Sequence, residues 1–118
     1  MLGHAHCKDG SPIILSEKAP KVTIRTAVLE KANEYVSIDR QSDHGNPENT
    51  FAIHAELWSA YLNALQGSTC IKLRSEDVAA MMVLFKVGRV SQNIRHADTW
   101  IDIAGYAACG AELAGVAL

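Results

Sequence analysis

The chain lacks the short motifs that mark the commonest nucleotide-handling and hydrolytic enzymes. It has no GxxxxGK[ST] or GxGxxG phosphate loop, no GxSxG nucleophile elbow and no HExxH helix, so those enzyme classes lose their main support. Cysteine is scarce: Cys7, Cys70 and Cys109 are odd in number and form no CxxC pair, which fits reduced thiols. Positive charge is not in excess either. Eleven Lys and Arg stand against thirteen Asp and Glu, for a formal net charge of −2, so attraction to a phosphate backbone is not a main source of affinity and no nucleic-acid partner is expected. The longest apolar run, residues 78–85, is followed by Lys86 and Arg89, far short of the roughly 20 residues that span a bilayer. His4, His6, Lys8 and Asp9 break up the first residues, leaving no apolar signal core behind a basic start. No membrane partner is expected, and the predicted location is the cytoplasm.

What remains is an ordinary globular composition: 118 residues, 48% apolar and 20% charged, enough for one domain and too little for two. At this length folding buries roughly two-thirds of the unfolded chain's surface, so a core without disulfide or metal staples is feasible.

Gly3, Gly10, Pro12 and Pro20 punctuate residues 1–21 without sustained periodicity, so this stretch is expected to be an irregular arm, with a short strand conceivable at 12–15. A single helical domain is predicted over 22–118. Ile24, Val28, Ala32, Tyr35 and Val36 recur at three- and four-residue steps, giving an amphipathic helix over about 22–39. A polar loop follows. The second helix opens with Asn46 as cap, Pro47 at its first position and Glu48 facing the positive end of the dipole. Phe51, Ala55, Trp58, Leu62 and Leu65 make its apolar seam, and Gly67 ends it. The third helix is expected to start at Ser75 as N-cap and, being apolar nearly all round, to lie in the middle of the fold. After a connector at 93–97, Asp98 starts a fourth helix rich in small residues, among them Cys109, predicted to be a core residue. The expected fold is all-α: a four-helix antiparallel bundle with an irregular N-terminal arm.

Charged groups are informative where they are costly. Between residues 78 and 94 the charged side chains are Lys86 and Arg89, three apart and therefore on one helical face. Asp98 and Asp102 share a face of the next helix, and Tyr106 continues that stripe. A hairpin centred near Arg95 would set Arg89 level with Asp102 and Lys86 level with Gly105. Two readings stand side by side. In one, Arg89 and Asp102 form an ion pair that fixes register. In the other, the two carboxylates hold a divalent metal while Lys86 and Arg89 bind the phosphates it bridges.

The loop containing Arg40, Asp43, His44, Asn46 and Asn49 is either a capped connector or, folded over the end of the bundle, a reader of a base or sugar. His54 and Glu56 are expected on a solvated flank of the second helix. His4, His6 and Cys7 have metal-ligand chemistry but no clear fourth partner.

The runs Asp39-Arg40, residues 44–51 (HGNPENTF), 57–62 (LWSAYL), 77–82 (DVAAMM), Lys86-Val87-Gly88-Arg89 and 98–107 (DTWIDIAGYA) resemble a family of small phage and prophage proteins known as a domain of unknown function, DUF6378, over about residues 28 to 114. More distantly, the last helix is similar to the acidic helix of MazG-like all-α nucleoside triphosphate pyrophosphatases. That resemblance implies an oligomerising bundle in which clustered carboxylates bind Mg²⁺ and a nucleotide is split between its α and β phosphates. It implies Asp98 and Asp102 as metal ligands, with Glu56 as a third. Lys86, Arg89, Arg40, Asp43, Asn49 and Tyr106 are then the candidate nucleotide-binding residues. The family's EExxE helix has no counterpart here. The expectation is a phage-type protein of the bacterial host's cytoplasm, a homo-oligomer that binds or hydrolyses nucleoside triphosphates with Mg²⁺; if an enzyme, it is a pyrophosphohydrolase. The alternative is a non-catalytic accessory protein that binds a host protein or sequesters a nucleotide signal.

Overall fold

A computed structural model describes residues 22–37 and 47–118. The arm at 1–21, including the conceivable strand and the His4, His6, Cys7 group, lies outside the described residues. So do residues 38–46, where the polar loop with Arg40, Asp43 and His44 is expected. Four α-helices make up the described fold: α1 Ile24–Tyr35, α2 Pro47–Gln66, α3 Ser75–Gln92 and α4 Ala97–Leu113. Among the described residues there is no strand, and none of the helices is long and apolar enough to cross a membrane.

Local chemistry accounts for the helix ends. Thr23 caps α1 reciprocally with Thr26: each backbone N–H donates to the other's hydroxyl, at 3.0 and 3.3 Å. Pro47 is the first residue of α2, as its fixed φ suits. Gly67 ends that helix at φ +63, and the Ser68 N–H reaches back to the Asn63 carbonyl at 2.9 Å, a Schellman closure. At α3 the N-cap is Arg74 rather than Ser75. The Asp77 carboxylate accepts from the Arg74 backbone N–H at 2.8 Å and from its guanidinium at 3.1 Å, so an acid inside the first turn satisfies the free donor.

The α3–α4 hairpin is the centre of the fold. Val78 and Ala79 on α3 are each 1% exposed, and with Phe51 and Ala55 of α2 they form the core. Trp58, Leu73, Met82, Tyr106, Cys109 and Leu113 pack around it. A Cβ built on Gly110 would stand 3.1 Å from the Ala79 Cβ, so a glycine is what lets α3 and α4 approach this closely. On the other side α1 packs against α4, with Ala32 and Ile101 buried and Val36 Cγ1 3.6 Å from the Cβ position of Gly105.

The segment between α2 and α3 is pinned along α2 by two polar residues one turn apart. Asn63 donates from Nδ2 to the Ile71 carbonyl at 3.0 Å and accepts the Ile71 N–H on Oδ1 at 2.9 Å. The Ser59 hydroxyl accepts the Leu73 N–H at 2.8 Å. α3 lies between α2 and α4, in the middle of the fold as expected, but its outer side is open. Leu84, Phe85 and Val87 are about half exposed or more, because α2 and α4 cover only part of its circumference.

Candidate functional site

The ionic face formed by α3 and α4 differs in register from the sequence expectation. Lys86 Nζ lies 3.0 Å from Asp102 Oδ2, with the two side chains 18% and 31% exposed. Asp102 therefore pairs with Lys86 rather than with Arg89, which is exposed. The helix ends are close to those expected, since α3 runs to Gln92 and α4 begins at Ala97, one residue before Asp98; what differs is the register across the turn. The intervening turn is tightened by local bonds, in which Trp100 Nε1 donates to the Ile94 carbonyl at 2.7 Å and the Arg95 N–H to Asn93 Oδ1 at 3.3 Å. His96 occupies the N-cap position of α4 without a side-chain bond to the helix backbone, its Nδ1 instead 2.9 Å from the hydroxyl of buried Thr99. The hairpin is thus centred on Ile94, and Lys86, not Arg89, comes level with Asp102.

Asp98 sits one turn before Asp102 on the exposed first turn of α4. The Tyr35 hydroxyl, at the end of α1, donates to its Oδ1 at 3.4 Å. Three helices thereby contribute to one polar strip: Tyr35 from α1, Lys86 from α3, and Asp98 and Asp102 from α4. The contribution of Tyr35 was missed by sequence reasoning, which treated it as one member of an apolar stripe.

The remaining candidates are dispersed. Tyr106 lies at the edge of the core, its ring centroid 6.1 Å from that of Phe51. Asn49 is exposed in the first turn of α2. Glu56 is exposed on α2, and among the described residues no group of three or more His, Cys, Asp or Glu is placed to hold a metal ion. The proposed trio of Glu56, Asp98 and Asp102 is therefore not assembled. His54 is half-buried, its Nδ1 2.8 Å from the Thr50 carbonyl; since a carbonyl only accepts, that nitrogen carries a proton. Cys109 is packed at the core, as expected, and burial pushes its thiol up, with Glu112 adding to the effect.

Comparison with known proteins adds kinship without an activity. The profile of the family described as "Domain of unknown function (DUF6378)" matches residues 27–114. The chain is 37% identical over 81 residues to the Gene 55 protein of Mycobacterium phage L5, covering 69% of this chain and 48% of that protein. To the Gene 55 protein of Mycobacterium phage D29 it is 34% identical over 83 residues, covering 70% and 50%. The chain thus spans about half the length of the curated relatives it matches. No solved structure matches.

Proposed function

The chain belongs to the DUF6378 family and is related to mycobacteriophage proteins; from that premise we propose that it binds a nucleoside triphosphate together with a divalent cation on the face shared by α3 and α4. The observation that carries this reading is the placement of Asp98 and Asp102 one turn apart on α4, with the Lys86 ammonium 3.0 Å from the second of them. Two carboxylates are a sufficient protein contribution for Mg²⁺, which is commonly held by one or two acidic residues while phosphate oxygens and water complete its shell. The donors are hard oxygens, and Asp98 is open to solvent, so the residues fit such an ion. When bound, the cation would neutralise charge on the phosphate chain.

The chain's own groups have separable tasks in this reading. Asp98 and Asp102 hold the cation, and Lys86 exchanges its carboxylate partner for a phosphate oxygen. Arg89, on the same side of α3, adds a second positive charge with a fork suited to phosphate. Contacts to the base or sugar are proposed for Asn49 and Tyr106, and for Arg40 and Asp43, which lie outside the described residues. Hydrolysis between the α and β phosphates is the stronger form of the same proposal.

A specific observation also favours a second reading. Lys86 and Asp102 already neutralise one another, which is what a register-setting pair in a non-catalytic accessory protein requires. Such a protein would act by binding a host protein or by sequestering a nucleotide signal. Asp98→Asn separates cation-dependent nucleotide binding from a purely register-setting pair, because Asp98 lies outside the ion pair. Thermal shifts are measured with Mg²⁺ and a panel of unmodified and modified nucleoside triphosphates, alongside pyrophosphate release. The nucleotide reading expects a ligand-dependent stabilisation that Asp98→Asn abolishes while leaving the unliganded transition in place. Absence of any shift and of any release across the panel overturns it.

A further inference from the structure

An apolar face that the site does not use lies on α2 and α3 and meets the ionic strip at Phe85, whose ring centroid is 5.9 Å from the Lys86 ammonium. Ile53, Leu57, Tyr61 and Leu65 recur every four residues along one face of α2, and each is 56–65% exposed. On α3, Phe85 is 58% exposed, and Met81, four residues earlier, lies on the same face. Between the helices runs an apolar groove of about 470 Å³ bounded by Trp58, Tyr61 and Leu62 on one side and Met81, Met82 and Phe85 on the other. We propose that this face is the contact through which two copies of the chain form a symmetric dimer. The proposal is independent of nucleotide binding.

Area and composition both support a second copy as the occupant. With roughly 200 Å² for a fully exposed large apolar side chain, these residues present roughly 700 Å², within the range that one partner gives to an interface of ordinary size. That exceeds the apolar patches of several hundred Å² found on typical monomers. Across a two-fold interface residue i meets j and j meets i, and only residues near the axis meet their own counterpart, so a charge there would repel its copy. None of the residues that form this stripe and groove is charged. The face also offers both halves of a self-complementary contact: the ridge of Leu57 and Tyr61 on α2, and the groove running toward Phe85. Two α2–α3 pairs set face to face make a four-helix bundle, which buries a seam that one pair leaves half open.

Sedimentation or light scattering of the full chain, from low to high micromolar concentration, tests this. The expected result is a dimer that dissociates on dilution. Leu57→Glu on α2 and Phe85→Glu on α3 should each weaken association at least about tenfold, as loss of an interface anchor does, with helicity by circular dichroism unchanged because both positions are exposed. If either variant fails to fold, Tyr61→Gln replaces it. Leu29→Glu, at an exposed position on α1, should leave association intact. A chain that stays monomeric throughout overturns the proposal, as would be the case if another segment or partner covers the face. So does an association that survives both charged variants, or one that Leu29→Glu weakens equally.

Discussion

Asp102 holds its ammonium partner in a place that is neither surface nor interior. At 18% and 31% exposure, the Lys86–Asp102 pair is screened less than a surface ion pair and desolvated less than a buried one. Removing one partner leaves the other half-buried without its counter-charge. Asp102→Ala is therefore expected to lower unfolding stability by roughly 1–2 kcal/mol, the lower part of the cost of leaving a buried polar partner unsatisfied, because the pair is partly exposed. The swap of Lys86→Asp with Asp102→Lys should recover part of that loss, whereas Arg89→Asp with Asp102→Arg should recover none. Denaturant midpoints of the singles and doubles give the coupling directly. Sequence reasoning identified Asp102 as a group that needs a partner, because so few charges interrupt this apolar stretch. It named a partner one turn away from the true one, since register depends on which residues close the turn, and the bonds of Trp100 and His96 that do so are side-chain contacts that periodicity does not report.

Among the helices, α3 shows how termini and spacing set stability separately from the core. The Arg74 guanidinium beside Asp77, and then the Arg74 backbone N–H, hold the Asp77 carboxyl below its ordinary value. A carboxylate depressed in the folded state stabilises fully above its unfolded pKa of about 3.9 and loses that contribution as pH falls through the folded value. The stability gap between the native chain and Asp77→Asn should accordingly be constant near neutrality and close below about pH 4, measured by thermal melts across that range. Two glycines make a second contrast. A Cβ at Gly88 meets nothing within 4 Å, whereas at Gly110 it meets Ala79 Cβ at 3.1 Å. Gly88→Ala should raise stability by about 0.5–1 kcal/mol through helix propensity alone. Gly110→Ala should forfeit that gain and lower the melting temperature, because Ala79 is fixed to its helix backbone and the helices themselves must separate. The end of α2 was legible in Gly67, and so was its start in Pro47. Ser59 and Asn63 were not, for polar residues one turn apart look the same whether they face water or hold a passing strand of backbone.

At the scale of the molecule, the four helices and their order followed from periodicity and caps, because each helix buries a stripe whose spacing the chain must carry. The exposure of the outer side of α3 did not follow: the helix lies between α2 and α4 as its apolar run implies, but an apolar stripe has the same composition whether it meets a core or is left open. The packing order has a dynamic consequence. α3 is held on one side by α2 and on the other by α4, and with α4 it contributes Val78, Ala79, Thr99, Ile101 and Gly105 to the buried set. The buried residue of α1 is Ala32, while its Ile24 and Leu29 are 81% and 63% exposed. Regions with few buried apolar contacts open at lower free energy than the core. Hydrogen exchange followed by mass spectrometry should find α1 amides exchanging well before those of the α3–α4 hairpin, with α2 between them. Removal of the Tyr35 hydroxyl by Tyr35→Phe should speed exchange in α1 without changing the slowest class, since that bond joins α1 to α4 and touches nothing in the hairpin's own core. Equal protection of α1 and α3 would mean that α1 opens only with the whole molecule, and that its packing on α4 is stronger than one buried alanine implies.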